Sequence, residues 1–212
     1  MIFLLPLFFS LTACRKDKNQ IRVAGHVYDP NTAVNVEGAL VVFSAKKISS
    51  GVYNAGFEEI ARTYTDAGGN FTFDSPEEYV SEYRFSVTKN GYFSSTTDIS
   101  SNDVVAGEVY NAAIDFYPIG YIVLQTRNFV PHDSADFIAY SFTSGYQNCW
   151  ECCDNTVRYG YGEAFQDTLT CKTRGNQNVA VTWNVTKNNL STQHNSTLYC
   201  PAFDTVVFQI NY

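Results

Sequence analysis

Basic residues are scarce in this chain, and none is gathered into a patch. Fourteen Lys and Arg stand against 21 Asp and Glu in 212 residues, a formal charge of −7. No basic run exceeds the pairs Arg15-Lys16 and Lys46-Lys47. A nucleic-acid surface needs clustered cations to neutralise phosphates, so that partner class is excluded. Histidine is scarcer still, at His26, His132 and His194 only. His132-Asp133-Ser134 holds the residue types of a triad, but adjacent side chains diverge and cannot assemble one. No G-x-S-x-G, H-E-x-x-H, P-loop or dinucleotide fingerprint occurs. Asp29-Pro30-Asn31-Thr32 has one carboxylate and reads as a turn, not a calcium loop. No catalytic residue, metal ligand set or cofactor is therefore assigned, and the chain reads as a non-enzyme.

What is present favours strands. Hydrophobic residues make up 45% and aromatics 16%, with 15 Tyr and 16 Phe, enough for real cores. Ile21, Val23, Gly25 and Val27 alternate with other residues, and Val36 to Phe43, Phe71 with Phe73, and Tyr83 to Val87 follow. Each run is short and bounded by Gly, Asn, Asp or Pro, the pattern of a β-sandwich. Asp66 to Asn70 reads as a turn in which Gly68 and Gly69 take positive φ. Ser75-Pro76-Glu77-Glu78 offers an N-cap, a proline and acids, and predicts one helical turn. After Pro118 and Gly120 a second set begins: Tyr121 to Gln125, Phe137 to Phe142, then Val179, Val181, Trp183 and Val185. Lys187-Asn188-Asn189 predicts a turn into a partner strand, and Val206, Phe208, Ile210 and Tyr212 alternate again. The expected fold is all-β, with two consecutive antiparallel β-sandwich domains at 21–118 and 119–212. No internal repeat is visible.

Residues 1–13, MIFLLPLFFSLTA, are uncharged and mostly apolar, too short to span a bilayer of ~30 Å but suited to a cleaved signal peptide. They end in Leu11-Thr12-Ala13-Cys14, which resembles the lipobox of bacterial lipoproteins. The resemblance implies cleavage before Cys14, acylation of that residue and anchoring by its lipid, with 14–20 as a polar tether. It places the chain in the bacterial cell envelope at the outer membrane, periplasmic or surface-exposed. "VAGHVYDPNTAVNVEGALVVFS", "TYTDAGGNFTFD" and "YRFSVTKNGYFSS" are similar to the signature blocks of carboxypeptidase regulatory-like domains. That resemblance implies a transthyretin-like sandwich over residues 21–118 and a non-catalytic module. The second half resembles the C-terminal halves of Bacteroidota lipoproteins, which implies no activity.

With Cys14 lipidated, five cysteines remain: Cys149, Cys152, Cys153, Cys171 and Cys200. Beyond the inner membrane such thiols are expected as disulfides. A zinc site would need two close pairs, and a redox dithiol would need a helix start; neither context is present. The expected frame ties the 149–153 cluster to Cys171 and to Cys200, with Cys153–Cys171 preferred and one thiol left over.

The aromatics of the second half supply the candidate contacts. Trp150, Tyr146, Tyr159 and Tyr161 are the residues on which a sugar could stack, although packing over a disulfide is the favoured reading of Trp150, while Trp183 belongs to an alternating strand and is expected in the core. Asp133-Ser134-Ala135, Asp167-Thr168-Leu169 and Asp204-Thr205-Val206 resemble Bacteroidota O-glycosylation acceptors, which marks Ser134, Thr168 and Thr205. Three functions are open: a lipid-anchored structural or binding module with the second domain as contact surface, a glycan-binding accessory lipoprotein, or a hydrolase with an unrecognised site. The partners expected are the membrane, through lipid, and a glycan or an envelope protein.

Overall fold

A computed structural model describes residues 19–49 and 51–212 of the chain; Cys14 and the signal segment lie outside the described residues. The first half forms β1 (Gln20–Asp29), β2 (Val34–Asn35), β3 (Leu40–Ser49), β4 (Val52–Tyr53), β5 (Glu58–Tyr64), β6 (Asn70–Pro76), β7 (Val80–Thr88), β8 (Ser95–Ser100) and β9 (Val109–Asp115). The second forms β10 (Ile119–Arg127), β11 (Phe137–Phe142), β12 (Arg158–Tyr161), β13 (Gln166–Arg174), β14 (Gln177–Lys187), β15 (Leu190–Cys200) and β16 (Thr205–Asn211). No α-helix occurs among the described residues.

In the first half β1 lies between β6, antiparallel, and β9, parallel. The facing sheet runs β5-β3-β7-β8, all antiparallel. Alternation explains the layering: along β6, Phe71, Phe73 and Ser75 turn inward while their neighbours stay exposed. Phe43, Phe85 and Phe116 are fully buried between the sheets. Gly25, opposite Phe71 in the ladder, is required by packing: a Cβ there would lie 2.0 Å from the Phe71 ring.

The second half repeats this arrangement strand for strand. β10 lies between β13, antiparallel, and β16, parallel, and faces a β12-β11-β14-β15 sheet that is antiparallel throughout. The repeat invisible in the sequence is therefore one of topology. Such a fold requires the order and inward alternation of strands, and two unrelated sets of residues can satisfy both. Each half also departs from a purely antiparallel sandwich by one parallel pair, the first strand with the last. Buried apolar residues form two clusters, Ile21 to Phe116 and Ile122 to Ile210.

The turns follow their residue types. The Asp66 carboxylate accepts from the N–H groups of Gly68 and Asn70, both at 2.8 Å, and Gly69 takes φ +74°. Gly68 stays out of the left-handed region. Asn188 and Asn189 hold φ +47° and +58°, the twist a two-residue hairpin needs. The helical turn expected at Ser75-Pro76-Glu77-Glu78 does not form. Ser75 pairs with Ile21 in the ladder and Glu77 N–H donates to Asn19 C=O at 3.0 Å, so sheet pairing overrides the local capping signal.

Only residues 116–118 separate β9 from β10, and the two sandwiches are pinned there by contacts distant in sequence. The Asn176 amide donates to Asp29 Oδ2 at 2.8 Å, and the Asn31 amide donates to Gly175 C=O at 2.9 Å. The Phe203 ring meets Tyr92 edge-on at 5.2 Å. Phe203 itself has φ +62°, unfavourable for a bulky residue, and its N–H is tied to Ile119 C=O at 2.7 Å. The stretch Asp29 to Thr32, read from sequence as a plain turn, is thus half of the domain junction.

Candidate functional site

The loop between β11 and β12 carries the cysteine cluster, and β13 holds it down. Cys149 pairs with Cys152 and Cys153 with Cys171. Cys153 N–H donates to Lys172 C=O at 2.8 Å. The Lys172 ammonium meets Glu151 at 3.2 Å, and the Arg174 guanidinium donates to Asn148 C=O at 2.7 Å. The Cys153–Cys171 expectation therefore holds, while the link from the cluster to Cys200 is corrected. Cys200 is a free thiol, completely buried where the end of β15 turns Leu198 and Cys200 into the core, and Cys149 finds Cys152 three positions away. Burial pushes the Cys200 thiol up to about 11, so it is protonated and inert.

At the tip of this stapled loop the Trp150 side chain is 93% exposed. It borders a cleft of about 270 Å³ formed by both sandwiches. Phe93, Asp115 and Tyr117 line one side, and Trp150, Glu151 and Arg174 line the other. The Arg174 guanidinium lies 3.8 Å from the Tyr117 ring centroid, a cation–π contact that crosses the domain junction. The cleft thus combines aromatic faces, one cation, two carboxylates and the hydroxyls of Ser94, Ser95 and Thr96. Aromatic faces take up the apolar face of a ring, and the polar groups orient its hydroxyls.

The other aromatics named from sequence lie elsewhere. Tyr146 is half-buried against the second core. Tyr159 and Tyr161 are exposed on β12 and pack around Phe137, with ring centroids 6.0 and 5.0 Å away. Neither lines the cleft. Trp183 is partly buried on the second core, stacked on His194 and edge-on to Phe208. Sequence reasoning selected Trp150 and missed Tyr117 and Arg174, which only the junction brings to it. Ser134, Thr168 and Thr205 are all exposed.

The histidines are separate from one another and from the cleft. His26 Nε2 lies 2.8 Å from Asn35 Oδ1, and His132 Nδ1 lies 2.9 Å from Asp133. His132, Asp133 and Asp136 place possible ligand atoms within 4.8 Å of one another. Asp136, however, is completely buried and already committed. Its oxygens accept from the Asn128 amide and His132 N–H at 2.8 Å and from Asp133 N–H at 3.4 Å, with the Lys187 ammonium 3.8 Å away. That is the role of a buried knot tying the 128–136 loop to β14, and it offers no open coordination position.

Asp136 gives a prediction. Burial pushes its carboxyl up, but the His132 and Asn128 hydrogen bonds and the Lys187 charge outweigh this, and it titrates below the usual carboxylate range. A carboxyl lowered in the folded state stabilises above the unfolded value of about 4 and loses that contribution as pH falls through its folded value. Thermal melts from pH 7 to pH 3 should show wild-type Tm declining below about pH 4. Asp136→Asn should melt lower at pH 7 and lose less on acidification, because its amide cannot accept from every donor aimed at it.

No family model matches the sequence, and neither does any curated protein. Among solved structures, the Bacillus anthracis TIE protein is similar at 11% identity and TM-score 0.39, over 91% of this chain and 34% of that one. The chain thus spans about a third of that protein. Shaft pilin SpaA from Lactobacillus rhamnosus GG is similar at 10% identity and TM-score 0.33, over 92% and 98% of the two chains. The dioxygenase domain of a dioxygenase–carbohydrate-binding protein fusion from Streptomyces sp. SirexAA-E is similar at 14% identity and TM-score 0.33, over 49% and 84%.

Proposed function

We propose that the chain is a non-catalytic contact protein of the bacterial cell envelope, held at the outer membrane by lipid on Cys14. A carboxypeptidase regulatory-like module, residues 21–118, carries a second sandwich of the same topology, and the contact surface is the Trp150 cleft between them. The observation that carries this reading is the cleft's construction. The Trp150 indole is almost fully exposed at the rim of the cleft, and a disulfide and a bonded carbonyl brace the loop that presents it. The separation of the three histidines from one another and from the cleft supports a binding role over a hydrolytic one.

The cleft's chemistry favours a glycan as ligand. Trp150 supplies the stacking face, and Asp115, Glu151 and Arg174 supply hydrogen bonds to ring hydroxyls. Titration with oligosaccharides selected on a glycan array tests this: Trp150→Ala should weaken binding about tenfold or more, the loss of roughly 1.4 kcal/mol of stacking. Undiminished binding by that variant would remove the cleft as the glycan site. The intact mass of membrane-extracted protein should show a chain beginning at acylated Cys14. Added hexose mass on peptides holding Ser134, Thr168 or Thr205 would mark those residues as glycosylated, and its absence would withdraw them.

A further inference from the structure

Lys187 is placed differently from the paired lysines of this protein. Lys46, Lys47 and Lys172 lie against the partly exposed carboxylates of Glu82, Glu78 and Glu151. Lys187, the last residue of β14, meets a side-chain amide instead. Its ammonium donates to Asn128 Oδ1 at 2.8 Å and to the Val130 carbonyl. The other end of that carboxamide, Asn128 Nδ2, donates to Asp136 Oδ2 at 2.8 Å and to Gly162 C=O at 3.0 Å. Asp136 Oδ2 is in turn 3.8 Å from Lys187 Nζ. An amine, a carboxamide and a carboxylate therefore converge where the end of β10 meets the end of β14. Asp136 is completely buried there and Asn128 nearly so.

These are the groups needed to exchange one amide for another. A carbonyl bond is about 1.2 Å long, so the contact with Oδ1 puts Nζ within about 4 Å of the amide carbon, Asn128 Cγ. Asp136 stands between nucleophile and leaving group, already bonded to the nitrogen that would depart. The backbone holds the carboxamide in place: Asn128 N–H donates to Phe165 C=O at 2.9 Å. Phe129 and Val130 N–H both donate to Tyr212 C=O, at 2.7 and 3.1 Å. The Tyr212 ring lies 5.0 Å from Nζ, and with the burial of Asn128 and Asp136 it keeps water from competing.

We propose that Lys187 and Asn128 join in a side-chain amide bond, which the folded protein makes once, on itself. Asp136 takes a proton from the Lys187 ammonium, a transfer that turns a costly buried charge pair into a neutral one. The freed Nζ attacks Asn128 Cγ, so the Nζ–Cγ bond forms and negative charge passes to Oδ1. As the carbonyl re-forms, Asp136 gives its proton to Nδ2 and the Cγ–Nδ2 bond breaks. Ammonia departs with a second Nζ proton as an ammonium ion. Nothing is oxidised or reduced, and no co-reactant enters. The Lys187 side chain is partly exposed, which lets the ammonium escape and makes the step irreversible. The bond spans 59 positions and ties the two sheets of the second sandwich together, a covalent closure that acts on the unfolded chain as a long-loop disulfide does.

Trypsin digestion of the reduced, denatured full chain reads the bond by mass spectrometry. Trypsin cuts after Arg127, Arg158 and Arg174 but not after an amide-linked Lys187. Wild type should therefore yield segment 128–158 joined to segment 175–212, about 17 Da lighter than the two together for the ammonia lost. Lys187→Arg keeps the charge, is always protonated and cannot attack, so 128–158, 175–187 and 188–212 should appear separately. Asp136→Asn keeps both reacting side chains and removes the proton carrier. With a wild-type circular dichroism spectrum, it too should give the separate segments. Separate segments of full mass from wild type would overturn the proposal and leave a hydrogen-bonded knot. A joined product from Lys187→Arg would overturn Lys187 as the nucleophile, and one from folded Asp136→Asn would overturn the Asp136 step.

Discussion

Phe43→Ala should destabilise the first sandwich by about 3–5 kcal/mol, enough to unfold many domains of this size. Phe43 sits on β3, a central strand, and is completely buried. Its ring meets Phe85 at 5.0 Å and Tyr83 at 5.1 Å within its own sheet, and Phe73 at 5.7 Å across the sandwich. Truncation removes the largest shared partner of three aromatic rings and leaves a cavity that rigid strands on both sides cannot close. The protein supplies its own reporter of locality. Both tryptophans, Trp150 and Trp183, lie in the second sandwich. Urea unfolding followed by circular dichroism should show an early transition in the variant. Tryptophan fluorescence should keep its wild-type midpoint, since the junction holds by a few polar and ring contacts while each half has its own core. Coincident early transitions by both probes would instead show one cooperative unit.

Replacing both Cys153 and Cys171 by serine should cost about 3 kcal/mol, the loop-closure contribution expected for a bridge of this span. The bridge joins residues 18 apart and ties the Trp150 loop to β13. Removing Cys149 and Cys152 opens a bridge between residues only three apart and should cost about 2 kcal/mol at most. The two losses also differ in kind. Without Cys153–Cys171 the loop loses its covalent tie to β13 and its tip keeps the hydrogen bonds of Lys172 and Arg174, so the cleft loses its fixed wall and glycan affinity should fall with stability. Cys200 reads out the difference: as a buried thiol raised to about 11, it should be alkylated only when the second sandwich opens. Faster alkylation is expected for the Cys153/Cys171 variant than for the Cys149/Cys152 variant. Equal rates would show that the longer bridge does not hold the domain closed.

The strands were legible because they depend on neighbours two positions away. Phe71 and Phe73 face inward for the same reason that Val179 and Val181 do: the alternation that defines a strand also chooses its buried face. The Asn188-Asn189 turn was readable from residue type, since asparagine tolerates the left-handed region a tight hairpin needs. Trp150 was legible for a similar local reason, an aromatic in a loop between cysteines. Ser75-Pro76-Glu77-Glu78 shows the limit of such signals, because its capping residues lost to a ladder partner more than fifty positions earlier.

What the sequence determined by itself was a set of strands and two groups of inward-facing residues, consequences of local periodicity and residue type, with Trp150 marked only as a candidate contact. What only the tertiary structure decided was which distant pieces meet. Asp29 reaches Asn176 across 147 positions and Asn31 reaches Gly175 across 144, and no local pattern encodes either bond. The same approach places Tyr117 beneath Arg174 and so turns a loop tryptophan into the rim of a cleft. It also settles the cysteines, because a disulfide forms between thiols the fold brings together: Cys171 on β13 lies against the loop, whereas Cys200 is carried into the core alone.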